Sequence, residues 1–186
     1  METRDFVTLA YAGFGGEMQG KTKLQKRVYF LGVMLGKEQD LGYTPHYYGP
    51  YSPAVADANA ELKALGYVDE CVARAGLTNG QGFEHALYKY SLTEAGQRLA
   101  ERKKAEFAED WKRIQEKANA INAAGDLHYM LLSAAAKFHF VLTQQGGKAT
   151  FDGIKTMAGR LGWAIGDEEL NEARDFLKSV GLITVS

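Results

Sequence analysis

The distribution of strand-like segments constrains the fold of this chain more than any other sequence feature. Only one adjacent pair of segments, residues 67–73 and 86–92, is rich in Val, Tyr and Leu, and glycines and an Asn-Gly step separate the two. Most of the remaining chain has apolar residues at three- and four-residue steps, which is typical of amphipathic helices. We therefore predict a mainly α fold with a small β-hairpin.

Three helical segments precede the predicted hairpin. The first covers residues 3–13, although its residues 6–11 also fit a strand, and the second follows the glycine-rich stretch 13–20. The third has the clearest start, because Ser52 is a good helix cap and Pro53 suits the first helical position. It is predicted to end near Leu65, where Gly66 is a natural terminator.

The second half of the chain is predicted to be almost entirely helical. Residues 93–123 carry one apolar stripe, which predicts a linking helix about 45 Å long. Three further helices and a strand at 182–185 follow the glycine at position 125. The predicted units are therefore an N-terminal domain (1–92), the linking helix (93–125) and a C-terminal three-helix unit (126–186).

A helix, a glycine stop and a strand recur in both outer units. Residues 55–68 and 170–183 follow this same pattern. One interpretation makes the C-terminal unit a second, degenerate copy of the first, and the other treats the match as an ordinary helix-to-strand junction.

Three helices followed by a hairpin are the plan of a winged helix, and the motifs also resemble a known family. The helix containing Lys-Leu-Gln-Lys (23–26), followed by Tyr-Gly-Pro-Tyr-Ser (48–52), resembles the YwgA-like family of bacterial winged-helix proteins. Leu-Gly-Tyr (65–67) and Leu-Thr-Glu-Ala-Gly (92–96) extend the resemblance over residues 8–100. It implies a winged-helix fold and a link to nucleic acid, and it supplies no catalytic residues.

Composition favours a protein of the cytoplasm. The chain of 186 residues has 22 Lys and Arg against 23 Asp and Glu, so binding to nucleic acid through overall charge is disfavoured and a local patch is required. Cys71 is the single cysteine, which fits a reducing compartment. No apolar run approaches the length of a membrane helix, and we expect neither a secretory signal nor a membrane partner.

A group of cations on the second helix is the candidate nucleic-acid contact. Lys21, Lys23, Lys26 and Arg27 span two helical turns, where such residues would contact phosphates of duplex DNA. The third helix adds further candidate contacts: Asn59 and Lys63. A solvated helix face is the alternative explanation. The outward positions of the third helix also include carboxylates, which disfavour a groove-reading surface.

Aromatic residues cluster immediately before the third helix. The sequence predicts that Tyr47, Tyr48 and Tyr51 make an aromatic contact with a base or with a protein partner. The alternative is that about half of this cluster packs in the core.

One segment matches the phosphate-binding loop pattern. Residues 15–22 read Gly-Gly-Glu-Met-Gln-Gly-Lys-Thr, in which Lys21 would reach a phosphate and Thr22 would bind Mg²⁺. The parallel sheet that such a loop needs is not predicted, so a glycine-rich turn at a helix start is the preferred interpretation.

The functional expectations follow from these patterns. The leading hypothesis is a nucleic-acid-binding regulatory protein; the alternatives are a winged-helix module for protein partners and a nucleotide-binding protein using residues 15–22. We expect no enzyme activity, no cofactor and no metal site, since no catalytic motif or ligand spacing occurs. A homodimer is also expected, because the stripe on residues 99–121 exceeds what one small core covers.

Overall fold

Eight helices and three strands form the described part of the chain. The computed structural model describes residues 1–78, 84–125 and 127–184. The elements, in chain order, are α1 (Thr3–Gly13), β1 (Glu17–Gln19), α2 (Gly20–Met34), α3 (Pro53–Ala64), β2 (Val68–Thr78), β3 (Glu84–Leu92), α4 (Glu94–Glu106), α5 (Ala108–Ala123), α6 (Tyr129–Gln144), α7 (Phe151–Arg160) and α8 (Asp167–Ser179). The prediction of a mainly α fold is confirmed, and the two predicted hairpin strands, β2 and β3, pair antiparallel within a sheet of three described strands.

The sheet has three strands in the order β1-β3-β2, and all neighbours are antiparallel. The short strand β1 was predicted as part of a glycine-rich turn. The turn itself is limited to Gly15 and Gly16, whose φ angles of 81° and 84° suit glycine alone. The chain then pairs with β3, where Met18 lies opposite Tyr90 and both side chains are buried. This register anchors the start of α2 beside the hairpin.

The start of α3 agrees with its sequence signals. The Ser52 hydroxyl accepts a hydrogen bond from the Val55 amide at 3.0 Å and donates one to the Leu41 carbonyl, while Pro53 is the first helical residue. At the other end, Gly66 has a φ of 71° just after the helix.

The single linking helix predicted over 93–123 is wrong, because the chain breaks at Phe107 into α4 and α5. Phe107 has φ and ψ of −115° and 47°, which are not helical. Both helices pack on α1, which has only 11 residues and is about 16 Å long. A straight helix of the predicted length would leave most of its apolar stripe beyond the ends of α1.

The C-terminal helices join the same core as the N-terminal ones. Helix α6 packs on α2 and α8, and the buried residues of all these helices form one hydrophobic cluster. No strand occurs in the described residues 127–184, so the predicted strand is not formed at 182–184, and the C-terminal unit has no described hairpin.

Much of the stripe that motivated a dimer is covered within one chain. Ile114, Ala118 and Ile121 on α5 are buried, and α5 packs on α1 and α2. Helix α6 covers its apolar side with other helices, α2 and α8. The apolar stripe therefore no longer supports a homodimer, and homodimerisation stays a prediction.

Some predictions fall outside the described residues. These are the hairpin turn at Asn79-Gly80, the boundary residue Asp126 and the end of the predicted last strand at Val185. Among the helices that the structure describes, none has the length and apolar character needed to cross a membrane.

Candidate functional site

The two motifs that carry the family resemblance form one structural unit. Gln25 of α2 accepts a hydrogen bond from the Ser52 amide at 3.0 Å and donates one to the Ser52 carbonyl at 2.9 Å. All three groups are buried. The side-chain amide thus satisfies both backbone groups at the start of α3, as a neighbouring strand would.

Lys26, one helical position further, is also directed into the protein. Its side chain is 2% exposed, and its ammonium donates to the Pro50 carbonyl at 2.6 Å. Burial lowers the pKa of Lys26 to about 7, and the nearby positive charge of Lys137 contributes further. Among the described residues, Lys26 forms no ion pair with a carboxylate.

The loop of residues 46–52, which we call the tyrosine loop, is fixed from both sides. Thr44 and Tyr51 pair as an isolated antiparallel bridge, with hydrogen bonds of 2.9 and 2.8 Å. The His46 carbonyl accepts hydrogen bonds from the Gly49 amide at 2.9 Å and from the Trp163 indole at 2.7 Å. The loop therefore bridges the N-terminal helices and the connection between α7 and α8.

Gly49 is the point of closest approach between the tyrosine loop and α6. Its φ of 93° favours glycine, and a Cβ atom there would lie 3.0 Å from Lys137 Cγ and 3.4 Å from the Ser133 carbonyl oxygen. The same Cβ would lie 3.6 Å from Lys26 Cε. The two lysine side chains therefore approach the same glycine.

A cleft of about 400 Å³, which we call the tyrosine cleft, opens between the tyrosine loop, α6 and the α7–α8 connection. At its edge, Tyr47 and Tyr48 are 74% and 40% exposed, and their rings meet edge to face at 4.8 Å. The cleft is lined by Tyr47, Tyr48, Tyr129, Met130, Ser133, Ala134, Lys137, Gly162, Ala164, Ile165 and Glu169. Aromatic and apolar residues surround a few polar groups, as in many binding sites.

Two of the polar groups in this cleft lack a full set of partners. Ser133 is 4% exposed, and its hydroxyl has no hydrogen-bond partner among the described residues. Burial lowers the pKa of Lys137, and the carboxylate of Glu169 opposes this effect without forming an ion pair. Glu169 accepts a hydrogen bond from the Gly166 amide at 2.9 Å and so caps α8.

The four cations predicted to contact nucleic acid do not share one exposed face. Lys21 is exposed and lies over the Tyr88 ring at 5.0 Å, whereas Arg27 is half-buried over the Phe14 ring at 4.8 Å. Lys23 is 7% exposed and donates to the Gln19 side chain at 3.3 Å. The expectation of an exposed basic face is thus corrected, since Lys26 is buried as well.

The candidate contacts on α3 have partners within the protein. Asn59 is buried and accepts a hydrogen bond from the Tyr11 hydroxyl at 2.7 Å, so it faces the core. The Lys63 ammonium lies 2.6 Å from a carboxylate oxygen of Glu70. The outward carboxylate of Glu61 forms an ion pair with Arg4. The exposed face of α3 therefore offers no cluster of available cations in the described structure.

The three predicted aromatic contacts differ in position. Tyr47 and Tyr48 are exposed, as binding requires, whereas Tyr51 is half-buried, with its ring 5.0 Å from that of His46. The cluster thus divides between an exposed pair and a packed residue.

The segment that matches the phosphate-loop pattern has a different conformation. Glu17–Gln19 form β1, which is antiparallel to its neighbour, and α2 begins directly at Gly20. A phosphate loop instead wraps its backbone amides around the ligand after a parallel strand. No such loop precedes Lys21.

The described residues contain no candidate metal site. No group of three or more His, Cys, Asp or Glu side chains is placed to hold an ion there. The His139 Nδ1 atom forms a hydrogen bond of 2.9 Å with the Tyr29 hydroxyl, and burial lowers the pKa of His139 to about 4.

Comparison with known proteins gives one partial relative. The chain resembles YwgA. This uncharacterized protein of Bacillus subtilis (strain 168) is 36% identical over 81 residues, which is 44% of this chain and 44% of the relative. No family model matches the chain. The match supports the resemblance to the YwgA-like family, and it covers less than half of either protein.

Sequence reasoning missed three residues of this site: Gln25, Ser133 and Lys137. Gln25 lies inside the Lys-Leu-Gln-Lys motif, so the resemblance marked its segment without showing its partner. Ser133 and Lys137 lie on α6, four residues apart and thus on one helix face. A polar pair within the apolar stretch of residues 129–138 on α6 was the available signal.

Proposed function

We propose that this protein is a protein-interaction module, that its N-terminal part is a winged helix, and that its binding surface is the tyrosine cleft between the tyrosine loop and the C-terminal helices. The proposal rests on a contrast between the predicted DNA-contacting cations and the tyrosines of the tyrosine loop. Cations expected to contact DNA are buried or paired, with Lys21 as the exposed member, whereas the tyrosine loop presents exposed rings beside a cleft.

The order of elements supports the winged-helix assignment. Three helices alternate with a sheet in the order α1-β1-α2-α3-β2-β3, and β1 pairs with the second strand of the hairpin. The capped helix α3 then occupies the place of the recognition helix. Its outward residues Asp57 and Glu61 would repel the phosphates of a nucleic acid.

The chemistry of the cleft supports a protein partner. Tyr and Met are enriched at the centres of protein interfaces, and Tyr47, Tyr48 and Met130 are all exposed here. The exposed rings extend beyond the cavity itself, so a ligand that only filled the cavity would leave them uncovered. Lys137 adds positive charge, which favours an acidic peptide segment as the occupant.

Selection from a random peptide library tests this function. The wild-type chain is expected to enrich peptides that combine Asp or Glu with apolar residues, and a chain carrying Tyr47→Ala and Tyr48→Ala is expected to lose them. A chain with Tyr67→Ala, which alters a half-buried tyrosine outside the cleft lining, is the control. Equal enrichment by the wild type and the double variant would contradict the proposal.

Binding of duplex DNA tests the competing nucleic-acid function. Fluorescence anisotropy with labelled duplex DNA should detect no binding at low salt, where phosphate contacts are strongest. Binding whose salt slope flattens by about one unit in Lys21→Ala would instead favour nucleic acid and overturn our assignment.

A further inference from the structure

We propose that the inner part of the tyrosine cleft is a carboxylate-binding subsite, formed by the Ser133 hydroxyl and the Lys137 ammonium, for an acidic residue of the partner. The inference rests on the proposed function, since it names the chemistry that the same cleft recognises. Its first support is the placement of both residues on one face of α6, against the tyrosine loop.

The Ser133 hydroxyl is a buried donor with no acceptor among the residues that the structure describes. A polar atom in this position loses its hydrogen bonds to water when the chain folds, and this loss is unfavourable unless another group replaces them. A serine inside a helix usually bonds to the carbonyl four residues earlier, and Ser133 makes no such bond. Ser133 lines the cleft, so a turn of its side chain would bring the hydroxyl, which is not exposed in the unbound chain, to a ligand oxygen there.

The local charge is positive near this hydroxyl. Lys26 and Lys137 both approach Gly49, and neither forms an ion pair with a carboxylate in the described structure. The positive charge of Lys137 lowers the pKa of Lys26, so an anion placed between the loop and α6 would stabilise both ammonium groups. Lys26 already donates to the Pro50 carbonyl, so it contributes charge from behind the loop while Lys137 makes the contact.

The donor set favours a carboxylate over a phosphate. A phosphate monoester carries up to two negative charges and three acceptor oxygens, and its usual partners are arginines or several backbone amides. The cleft lining contains no arginine, and the Gly166 amide at the start of α8 is already used by Glu169. Because the carboxylate of Glu169 also lines the cleft, a singly charged group meets less repulsion than a doubly charged one.

The experiment uses sodium acetate as the probe and the methyl group of Met130 as the reporter. Met130 lines the cleft, whereas Met18 is fully buried elsewhere and serves as an internal reference. In a sample with ¹³C-labelled methionine methyl groups, acetate at constant ionic strength is expected to shift the Met130 signal with saturation and to leave Met18 unchanged.

Variants of the two donors make this test specific. Ser133→Ala and Lys137→Gln should each weaken acetate binding at least fivefold, while Lys112→Gln, an exposed lysine on α5, should leave it unchanged. Ser133→Ala removes a hydroxyl without a partner, so the variant is expected to fold normally. Glu169→Gln should tighten acetate binding by removing the repelling charge.

The outcomes separate this inference from the proposed function. If Met130 does not respond to acetate, or responds equally in all variants, the subsite is wrong, and peptide selection still decides the function of the cleft. A response to inorganic phosphate that exceeds the response to acetate would also overturn the carboxylate assignment. Saturable acetate binding together with a failed peptide selection would keep the subsite and contradict the proposed partner.

Discussion

The exposed face of α3 and the tyrosine cleft both carry polar side chains, but these side chains differ in whether they have partners within the protein. On α3, Lys63 and Glu61 form ion pairs with Glu70 and Arg4. In the cleft, no described residue is a hydrogen-bond partner of the Ser133 hydroxyl or an ion-pair partner of Lys137. Charged residues whose partners lie within the protein contribute to its structure, whereas a buried polar group without a partner needs an explanation, and in a cleft a ligand contact is one.

Lysines that lie close together in the sequence can be either exposed or buried in the fold. Lys26 was expected at a phosphate, and the structure directs it to the Pro50 carbonyl inside the protein. A lysine has a long apolar stem, so it can extend through a core to reach a carbonyl group at a distance. A cluster of lysines in a sequence therefore does not establish a basic surface until their burial is known.

The largest effect on stability is expected at Gln25, where the Lys-Leu-Gln-Lys motif contacts the Tyr-Gly-Pro-Tyr-Ser motif. Replacing Gln25 by Leu removes two buried hydrogen bonds and leaves the buried Ser52 amide without a partner, while the Ser52 carbonyl keeps only the bond from the Ala56 amide; the unfolding free energy should fall by about 3 kcal/mol. Urea denaturation measures this value. Gln115→Leu on the exposed side of α5 is the control and should change it by less than about 0.5 kcal/mol. Equal effects would show that the junction of the motifs adds no stability.

The buried amine of Lys26 should make stability depend on pH. Its pKa in the folded protein is about 7, against 10.5 for an ordinary lysine, so between these values the unfolded chain holds one more proton. Unfolding free energy should therefore rise with pH, by roughly 2 kcal/mol between about pH 7 and about pH 9. Lys26→Met should lose most of this rise and keep the contribution of Lys137, whose pKa burial also lowers. An identical rise in both chains would contradict the burial of the Lys26 amine.

The approach of the tyrosine loop to α6 is tested at Gly49. Ala at this position combines an unfavourable φ of 93° with a Cβ atom 3.0 Å from Lys137 Cγ, so we expect a loss of about 2 kcal/mol of unfolding free energy. Gly36→Ala is a matched control, because its φ is also positive at 67° and nothing lies within 4 Å of the added atom. A loss at Gly49 no larger than at Gly36 would contradict the close contact.

The smallest effect is expected on α3. Glu61→Gln breaks an exposed ion pair with Arg4 and should lower the unfolding free energy by less than about 0.5 kcal/mol. It should also leave peptide selection unchanged. A clear loss of selected peptides in this variant would move the binding surface from the cleft to α3.

Local signals were predictable from the sequence, and contacts between distant segments were not. The Ser52 cap and Pro53 start of α3 depend on neighbouring residues, so the sequence indicated them directly. The break at Phe107 lies between two helices that both pack on α1, and Gln25 bonds to the tyrosine loop 27 residues away, so both features involve distant segments. The exposed Tyr47 and Tyr48 were recognised as candidates, but the cleft beside them needs α6 and the α7–α8 connection.

The most direct test compares the two surfaces in one sample. Alanine methyl groups report on both, since Ala54 and Ala60 are exposed on α3, whereas Ala134 and Ala164 line the tyrosine cleft. When a ¹³C-methyl-alanine sample is titrated with an acidic peptide from the selection, the signals of Ala134 and Ala164 should shift and those of Ala54 and Ala60 should not. Shifts confined to Ala54 and Ala60 would contradict our assignment of the binding surface.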